Sequence, residues 1–143
     1  MSEVIRDYPL RAFRICVETT EPDVTGVAYT PMKKEGIPFV GWNQMILSLD
    51  TLFDENGYPQ AFQEKRSFRK TNEQNISYNA MPEKRVTTAL ILKHQGARLT
   101  VNVSVDMRRN TSWQGSIFSD YGERLETFRS ELELMDILSE KLE

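Results

Sequence analysis

The sequence predicts an α+β domain in which two amphipathic helices pack on an antiparallel sheet. Short segments rich in β-forming residues alternate with turn residues in both halves of the chain. Two other segments, 41–53 and 128–142, instead space their apolar residues at helical intervals. The chain has 143 residues, of which 39% are apolar and 10% aromatic, so it has the size and the side chains for a single domain with one core.

The first strands are expected in the N-terminal third. Residues 10–17 alternate loosely between apolar and polar side chains, and residues 25–30 are rich in β-forming residues. The two segments therefore predict a hairpin. Residues 33–36 predict a turn. Residues 37–39 predict at most a short edge strand, because Pro38 cannot donate a hydrogen bond to a central ladder.

The first helix is predicted from an apolar stripe that repeats every three to four residues. The stripe consists of Trp42, Met45, Ile46, Leu49 and Phe53. We expect the helix to end near residues 54–56, because Gly57 suits the left-handed position that follows a helix.

The second half of the sequence predicts three more strands and a part of a fourth. Residues 86–93 and 99–106 flank a turn at 94–98 and predict a hairpin. Residues 113–118 predict the next strand, and 124–127 extend toward another.

The C-terminal helix is predicted from a second apolar stripe, with Thr127 as its N-cap. The stripe consists of Phe128, Leu132, Met135, Leu138 and Leu142.

The two halves show a weak internal similarity. A shift of 89 positions places Gly26 on Gly115 and Phe39 on Phe128. The working topology is therefore two pseudo-repeated βββα units, 10–57 and 86–143, joined by the segment 58–85. The alternative is one domain of the same class without a repeat.

Charge is distributed unevenly along the chain. Residues 1–58 hold five Lys or Arg against nine Asp or Glu, residues 59–98 hold eight against three, and residues 99–143 hold five against nine. The middle segment 58–85 also lacks periodicity, apart from a short helical piece expected at 61–69. Long aperiodic segments in compact domains are often functional, although a basic loop can also simply be solvated.

Basic and aromatic side chains in two parts of the sequence form the candidate partner-binding site, since these residue types anchor both protein and nucleic-acid partners. The first part is the segment 59–85. The second part is the turn expected at 108–111, for which the alternative interpretation is an ordinary β-turn. The candidate residues are Phe62, Lys65, Arg66, Phe68, Arg69, Lys70, Arg108, Arg109 and Trp113.

The composition excludes several enzyme classes. One Cys and one His cannot supply a disulfide framework or a zinc site of the Cys/His type, and the scattered glycines form no phosphate-binding loop. Cys16 is expected as a reduced, buried thiol. No catalytic residue, cofactor or metal is predicted.

No segment has the apolar run of a signal peptide or a membrane span, so we expect a cytoplasmic protein that does not bind membranes. The function predicted is a non-enzymatic regulatory module that binds another protein. The alternative is a nucleic-acid-binding protein that uses the basic middle segment. The oligomeric state is left open.

Overall fold

The computed structural model describes residues 7–57, 61–62, 84–109 and 112–142. These residues contain seven strands and three helices. The strands are β1 (Ala12–Thr19), β2 (Thr25–Thr30), β3 (Lys33–Val40), β4 (Ala61–Phe62), β5 (Leu99–Arg109), β6 (Ser112–Phe118) and β7 (Arg124–Phe128). The helices are α1 (Trp42–Asn56), α2 (Thr88–Leu92) and α3 (Glu131–Lys141).

All seven strands belong to one sheet. Six of them lie in the order β3-β2-β1-β5-β6-β7, and every neighbouring pair in this order is antiparallel. The two residues of β4 pair in parallel with the end of β5. The predicted α+β class is therefore confirmed, and β1 and β2 form the hairpin that the sequence predicts.

One face of the sheet carries the main core, because alternate residues of each strand point to that face. Helices α1 and α3 cover it and contribute residues to the same apolar cluster. The cluster includes Phe13, Ile15 and Val17 of β1, Val101, Val103 and Val105 of β5, Met45, Leu49 and Phe53 of α1, and Leu134 and Leu138 of α3. This shared burial is the main apolar contribution to stability.

Helix α1 follows its predicted stripe and ends three residues beyond Phe53. Gly57 has φ +64°, in the left-handed region, and its N–H bonds to the carbonyl of Asp54. This confirms the predicted helix end. None of the helices in the described part of the chain is long and apolar enough to cross a membrane.

The predicted hairpin of 86–93 with 99–106 is wrong. Residues 88–92 form helix α2, whose N-cap Thr87 accepts a hydrogen bond from the backbone of Leu90. The helix buries Ile91 against Tyr8 and Ala12 on the second face of the sheet. Strand β5 pairs with β1 and β6 instead. A short apolar run fits a strand and a packed helix equally well, and here packing favours the helix.

Two other boundaries differ from the prediction. Residues 33–36 belong to strand β3 rather than to a turn, and β3 accommodates Pro38 because it lies at the edge of the sheet. Helix α3 is capped by Ser130, whose hydroxyl accepts a hydrogen bond from the backbone of Glu133 at 3.1 Å, and not by Thr127. Residue Thr127 instead extends β7, which ends at the buried Phe128.

The helical piece expected at 61–69 is also corrected where the structure describes it, because residues 61–62 form β4. Residues 63–69 lie outside the described residues.

Candidate interaction site at the edge of the sheet

The predicted partner-binding residues fall into two groups. The side chains of Phe62, Lys65, Arg66, Phe68, Arg69, Lys70 and Arg109 lie outside the described part of the chain. The other two, Arg108 and Trp113, are described and lie in the interior.

Arg108 faces helix α1 because a bulge between Val105 and Met107 changes which residues of β5 point toward the core. Trp113 faces the same way because it alternates with Gly115 and Ile117 on the core side of β6. Arg108 is 2% exposed, and its Nη1 lies 3.0 Å from Asp50 Oδ1 and 2.8 Å from Asp54 Oδ1.

Trp113 is completely buried, and its Nε1 donates to Asp50 Oδ1 at 2.9 Å. Two of the residues that the sequence offers as partner-binding side chains are therefore buried. The two side chains connect the β5–β6 hairpin to α1, since both bond to a carboxylate of that helix.

A second polar cluster lies on the opposite face of the sheet. The buried Arg14 donates from Nε to the His94 carbonyl at 2.8 Å and from Nη1 to Asn102 Oδ1 at 2.9 Å and Asp120 Oδ1 at 2.6 Å. The hydroxyl of Tyr8 also donates to Asn102 Oδ1, at 2.9 Å. The amide of Asn102 donates to Asp120 Oδ1 at 2.8 Å.

The electrostatics of this cluster favour a structural role. Partial burial opposes ionisation of Asp120, but hydrogen bonds from Arg14 and Asn102 hold its pKa below the usual value. Burial, reinforced by Lys93 and Arg14, lowers the pKa of His94, whose ring stacks on Tyr29 with 3.7 Å between centroids. These groups bond to one another and fix the turn that follows β6.

Cys16 also lies on this face, as the reduced, buried thiol that the sequence predicts. Burial raises its pKa to about 11, against a smaller opposing effect of Arg14. Only roughly 0.1% of such a thiol is thiolate at pH 8, and the thiolate is the reactive species.

We expect the folded protein to react with iodoacetamide about 100-fold more slowly than the urea-unfolded chain. Mass spectrometry measures the rate of alkylation of Cys16 in both states. Equal rates for the folded and the unfolded protein would contradict this account of Cys16.

The two edges of the sheet differ in how they are protected. Strand β3 carries the charged residues Lys33, Lys34 and Glu35 and the non-donating Pro38, which discourage pairing with another chain. Strand β7 has no proline, and residues 124–127 are all exposed. Within the described residues no strand pairs with its outer edge.

Apolar side chains are exposed at the β7 edge. Leu125 is 53% exposed, at a bulge where the register between β6 and β7 shifts, and Tyr121 in the preceding turn is 54% exposed. An open edge with exposed apolar side chains can pair with an added strand.

A hollow of about 410 Å³ lies beside this edge, where β6 ends and the turn to β7 begins. Its apolar lining comes from Leu99, Val101, Ile117, Phe118 and Leu125, and its polar lining includes Asn102, Asp120 and Lys141. Lys141 Nζ lies 3.6 Å from Glu126 Oε1 and joins the end of the helix to β7. We call β7 and this hollow the edge site.

The edge site has little signal in the sequence. Leu125 stands between Arg124 and Glu126, and a single apolar residue among charged ones is common on ordinary surfaces. Its significance depends on long-range pairing that places β7 at the edge.

Within the described ranges, no group of three or more Cys, His, Asp or Glu side chains is arranged to hold a metal ion. Comparison with protein-family models, with curated proteins and with solved structures finds no match to this chain.

Proposed function

We propose that this protein is a non-enzymatic binding module that takes up an extended segment of a partner protein at the edge site. The observation that supports this most directly is the combination of an edge strand that no other described strand covers with a partly apolar hollow beside it. Strand addition uses both features, because main-chain hydrogen bonds provide affinity and a side-chain pocket provides specificity.

The surroundings of the edge site indicate the chemistry of the partner segment. An aliphatic side chain of the segment would fill the hollow against Leu99, Val101 and Leu125. The exposed side of α3 carries Glu133, Asp136 and Glu140, and the last of these precedes Lys141 at the hollow. A segment that combines aliphatic with basic residues would therefore match the site in shape and in charge.

The turn between β6 and β7 is organised before any partner binds. The hydroxyl of Ser119 accepts hydrogen bonds from the backbones of Tyr121 at 3.1 Å and Glu123 at 3.2 Å, and Gly122 takes φ +88°. Arg14 holds the same turn through Asp120. A preorganised edge reduces the entropy that binding costs, which supports a role for β7 in recognition.

The proposal is tested with Leu125→Asp, which places a carboxylate at the hollow. The matched control is Leu47→Asp on α1, where the leucine is 67% exposed and lies outside the edge site. We expect nuclease-treated affinity purification from native cells to recover a stoichiometric protein partner with the parent and the control. Recovery with Leu125→Asp should fall at least about 10-fold, because interface anchors are worth about 1–2 kcal/mol or more.

Equal recovery of the partner with Leu125→Asp and with the parent protein would refute the edge site. The absence of any nuclease-resistant partner would refute the function itself.

The alternative function, binding of nucleic acid, is favoured by the excess of eight basic over three acidic residues in 59–98. Under that alternative, nuclease removes all captured material, and binding to single-stranded RNA weakens steeply with salt. The double variant Arg66→Glu with Arg69→Glu would then abolish binding, and Leu125→Asp would leave it unchanged.

We also propose that the two halves are pseudo-repeats. Gly26 pairs with Phe39 in the register of β2 and β3, and Gly115 pairs with Phe128 in that of β6 and β7. A Cβ on either glycine would approach a carbonyl oxygen of the neighbouring strand, to 2.2 Å at Gly26 and 1.8 Å at Gly115. Alanine at either position should therefore destabilise the fold by a similar amount, and a large difference would count against the repeat.

A further inference from the structure

The face of the sheet opposite the main core carries a groove of about 480 Å³. It lies over β5 and β6, between the N-terminal residues 7–11 and the start of β7. The groove is lined by Asp7, Pro9, Arg11, Ser104, Asp106, Ser116, Phe118, Gly122 and Arg124. This is enough space for a small organic molecule.

Two hydroxyl groups form a short row across the floor of the groove. Ser104 pairs with Ser116 in the register of β5 and β6, and both residues line the groove. Residues paired across antiparallel strands share a face, so the two hydroxyls lie side by side. Ser104 Oγ donates to Asp106 Oδ1 at 2.8 Å.

Ser116 is the most informative residue of this row. It is 6% exposed, and its hydroxyl has no hydrogen-bond partner among the residues that the structure describes. Buried hydroxyls are rarely left without a partner in folded proteins. A hydroxyl that lines a groove and lacks a protein partner is available to a ligand.

The groove is lined by two carboxylates and two guanidinium groups, so its formal charges balance. Asp106 forms an ion pair with Arg11 at 3.0 Å, and Asp7 pairs with Lys84, which lies outside the lining. Arg124 is exposed and makes no ion pair with any described residue. Its guanidinium is therefore the charged group beside the hydroxyl floor that no described carboxylate holds.

The positions of Arg124 and Phe118 suggest how a ligand would lie. The two residues are paired in the register of β6 and β7, so both side chains belong to the face that carries the groove. The ring of Phe118 lies 5.7 Å from that of Tyr8 and forms an apolar surface next to the cation. A planar guanidinium binds carboxylate and phosphate groups in a bidentate manner.

We propose that the groove binds a small organic anion, whose carboxylate or phosphate group bonds to Arg124 and Ser116 and whose apolar body lies over Phe118 and Pro9. The groove and the hollow of the edge site share Phe118 in their lining, but Arg124 and Ser116 line the groove alone. Binding in the groove does not depend on strand addition, and either proposal can fail without the other.

The test is a titration of the purified full chain, followed by the backbone amide resonances in NMR spectra. The probes are benzoate, inorganic phosphate and sodium chloride at matched ionic strength, so that a carboxylate, a phosphate and a general salt effect are distinguished. We expect benzoate or phosphate to cause saturable shifts at Ser116, Phe118, Gly122 and Arg124, with half-saturation in the range of about 1–10 mM.

The variant Arg124→Gln should weaken binding at least about 10-fold, because hydrogen bonds to charged groups are worth about 1.5–3 kcal/mol. Ser116→Ala should weaken it by roughly threefold through loss of a neutral hydrogen bond. The matched control is Arg129→Gln, an exposed arginine just after β7 that does not line the groove. This control should bind like the parent protein.

Three results would overturn the proposal. The first is that sodium chloride causes the same resonance shifts as benzoate and phosphate. The second is that the shifts caused by benzoate and phosphate do not saturate. The third is that Arg124→Gln binds as tightly as the parent protein. Thermal unfolding of each variant shows that the fold is retained, since Arg124 makes no ion pair within the described residues whose loss would destabilise it.

Discussion

Replacing Arg14 with methionine is expected to lower the free energy of unfolding by about 3 kcal/mol. The substitution keeps most of the side-chain volume but removes every donor, so the loss reports hydrogen bonding and charge rather than a cavity. The His94 carbonyl would lose its bond from Nε, and Asn102 Oδ1 and Asp120 would lose theirs from Nη1. Asn102 Oδ1 keeps its bond from Tyr8 and Asp120 keeps its bond from Asn102, so the His94 carbonyl is the acceptor that loses its described side-chain donor. A buried acceptor left without a donor costs about 1–3 kcal/mol, and a hydrogen bond to a charged group contributes about 1.5–3 kcal/mol.

Two further variants separate this network from general surface effects. Arg98→Met changes an exposed arginine and should alter stability by less than about 0.5 kcal/mol. Asp120→Asn removes the charge partner, whose side chain is 37% exposed, so water compensates much of the loss. We expect its effect to be about 1 kcal/mol or less. Urea unfolding measures all three, and a loss below about 1 kcal/mol for Arg14→Met would contradict the structural role of the network.

Replacing Gly115 with alanine is expected to lower the free energy of unfolding by about 2–3 kcal/mol. The added Cβ would lie 1.8 Å from the Ser104 carbonyl oxygen and 3.0 Å from Val105 Cα. These are backbone atoms of the adjacent strand β5, so no flexible side chain can move aside to relieve the contact. The strands must separate locally, and overpacking of this kind typically costs about 1–3 kcal/mol.

Gly57→Ala is the control for this prediction. Gly57 has φ +64°, but a Cβ there would meet nothing within 4 Å. Its substitution should therefore cost only about 1 kcal/mol for the left-handed backbone. If urea unfolding gives Gly57→Ala the larger loss of the two, the close approach of β5 and β6 at Gly115 is not as described.

Local patterns in the sequence were sufficient to predict the fold class and several elements. The stripe from Trp42 to Phe53 is a single-face helical repeat, and the capping preference of Gly57 is a local property of the backbone. Strands β1, β2 and β6 likewise follow from β-forming residues between turns.

The predictions from the sequence fail where tertiary contacts, rather than local sequence, determine the secondary structure or the burial of a residue. The run 86–93 suits a strand by composition, but Thr87 caps a helix there and Ile91 finds a buried position against Tyr8. Arg108 faces α1 because of a bulge in β5, which no local pattern revealed.

The candidate site could not be predicted for the same reason. Leu125 and Arg124 become significant only when the strand order places β7 at the edge of the sheet, where Leu125 lines the hollow and Arg124 lines the groove. The basic residues 65–70, which the sequence favoured, lie outside the described part of the chain and remain a prediction.

Hydrogen exchange of the full chain, alone and in complex with the captured partner, tests the central claim most directly. A strand added to the open edge would bond to the outward-facing backbone N–H groups of β7 and slow their exchange. We therefore predict that protection increases within Arg124–Phe128, while the outer edge of β3 (Lys33–Val40) is unchanged. Unchanged exchange in β7, with new protection elsewhere in the chain, would contradict partner binding at the edge site.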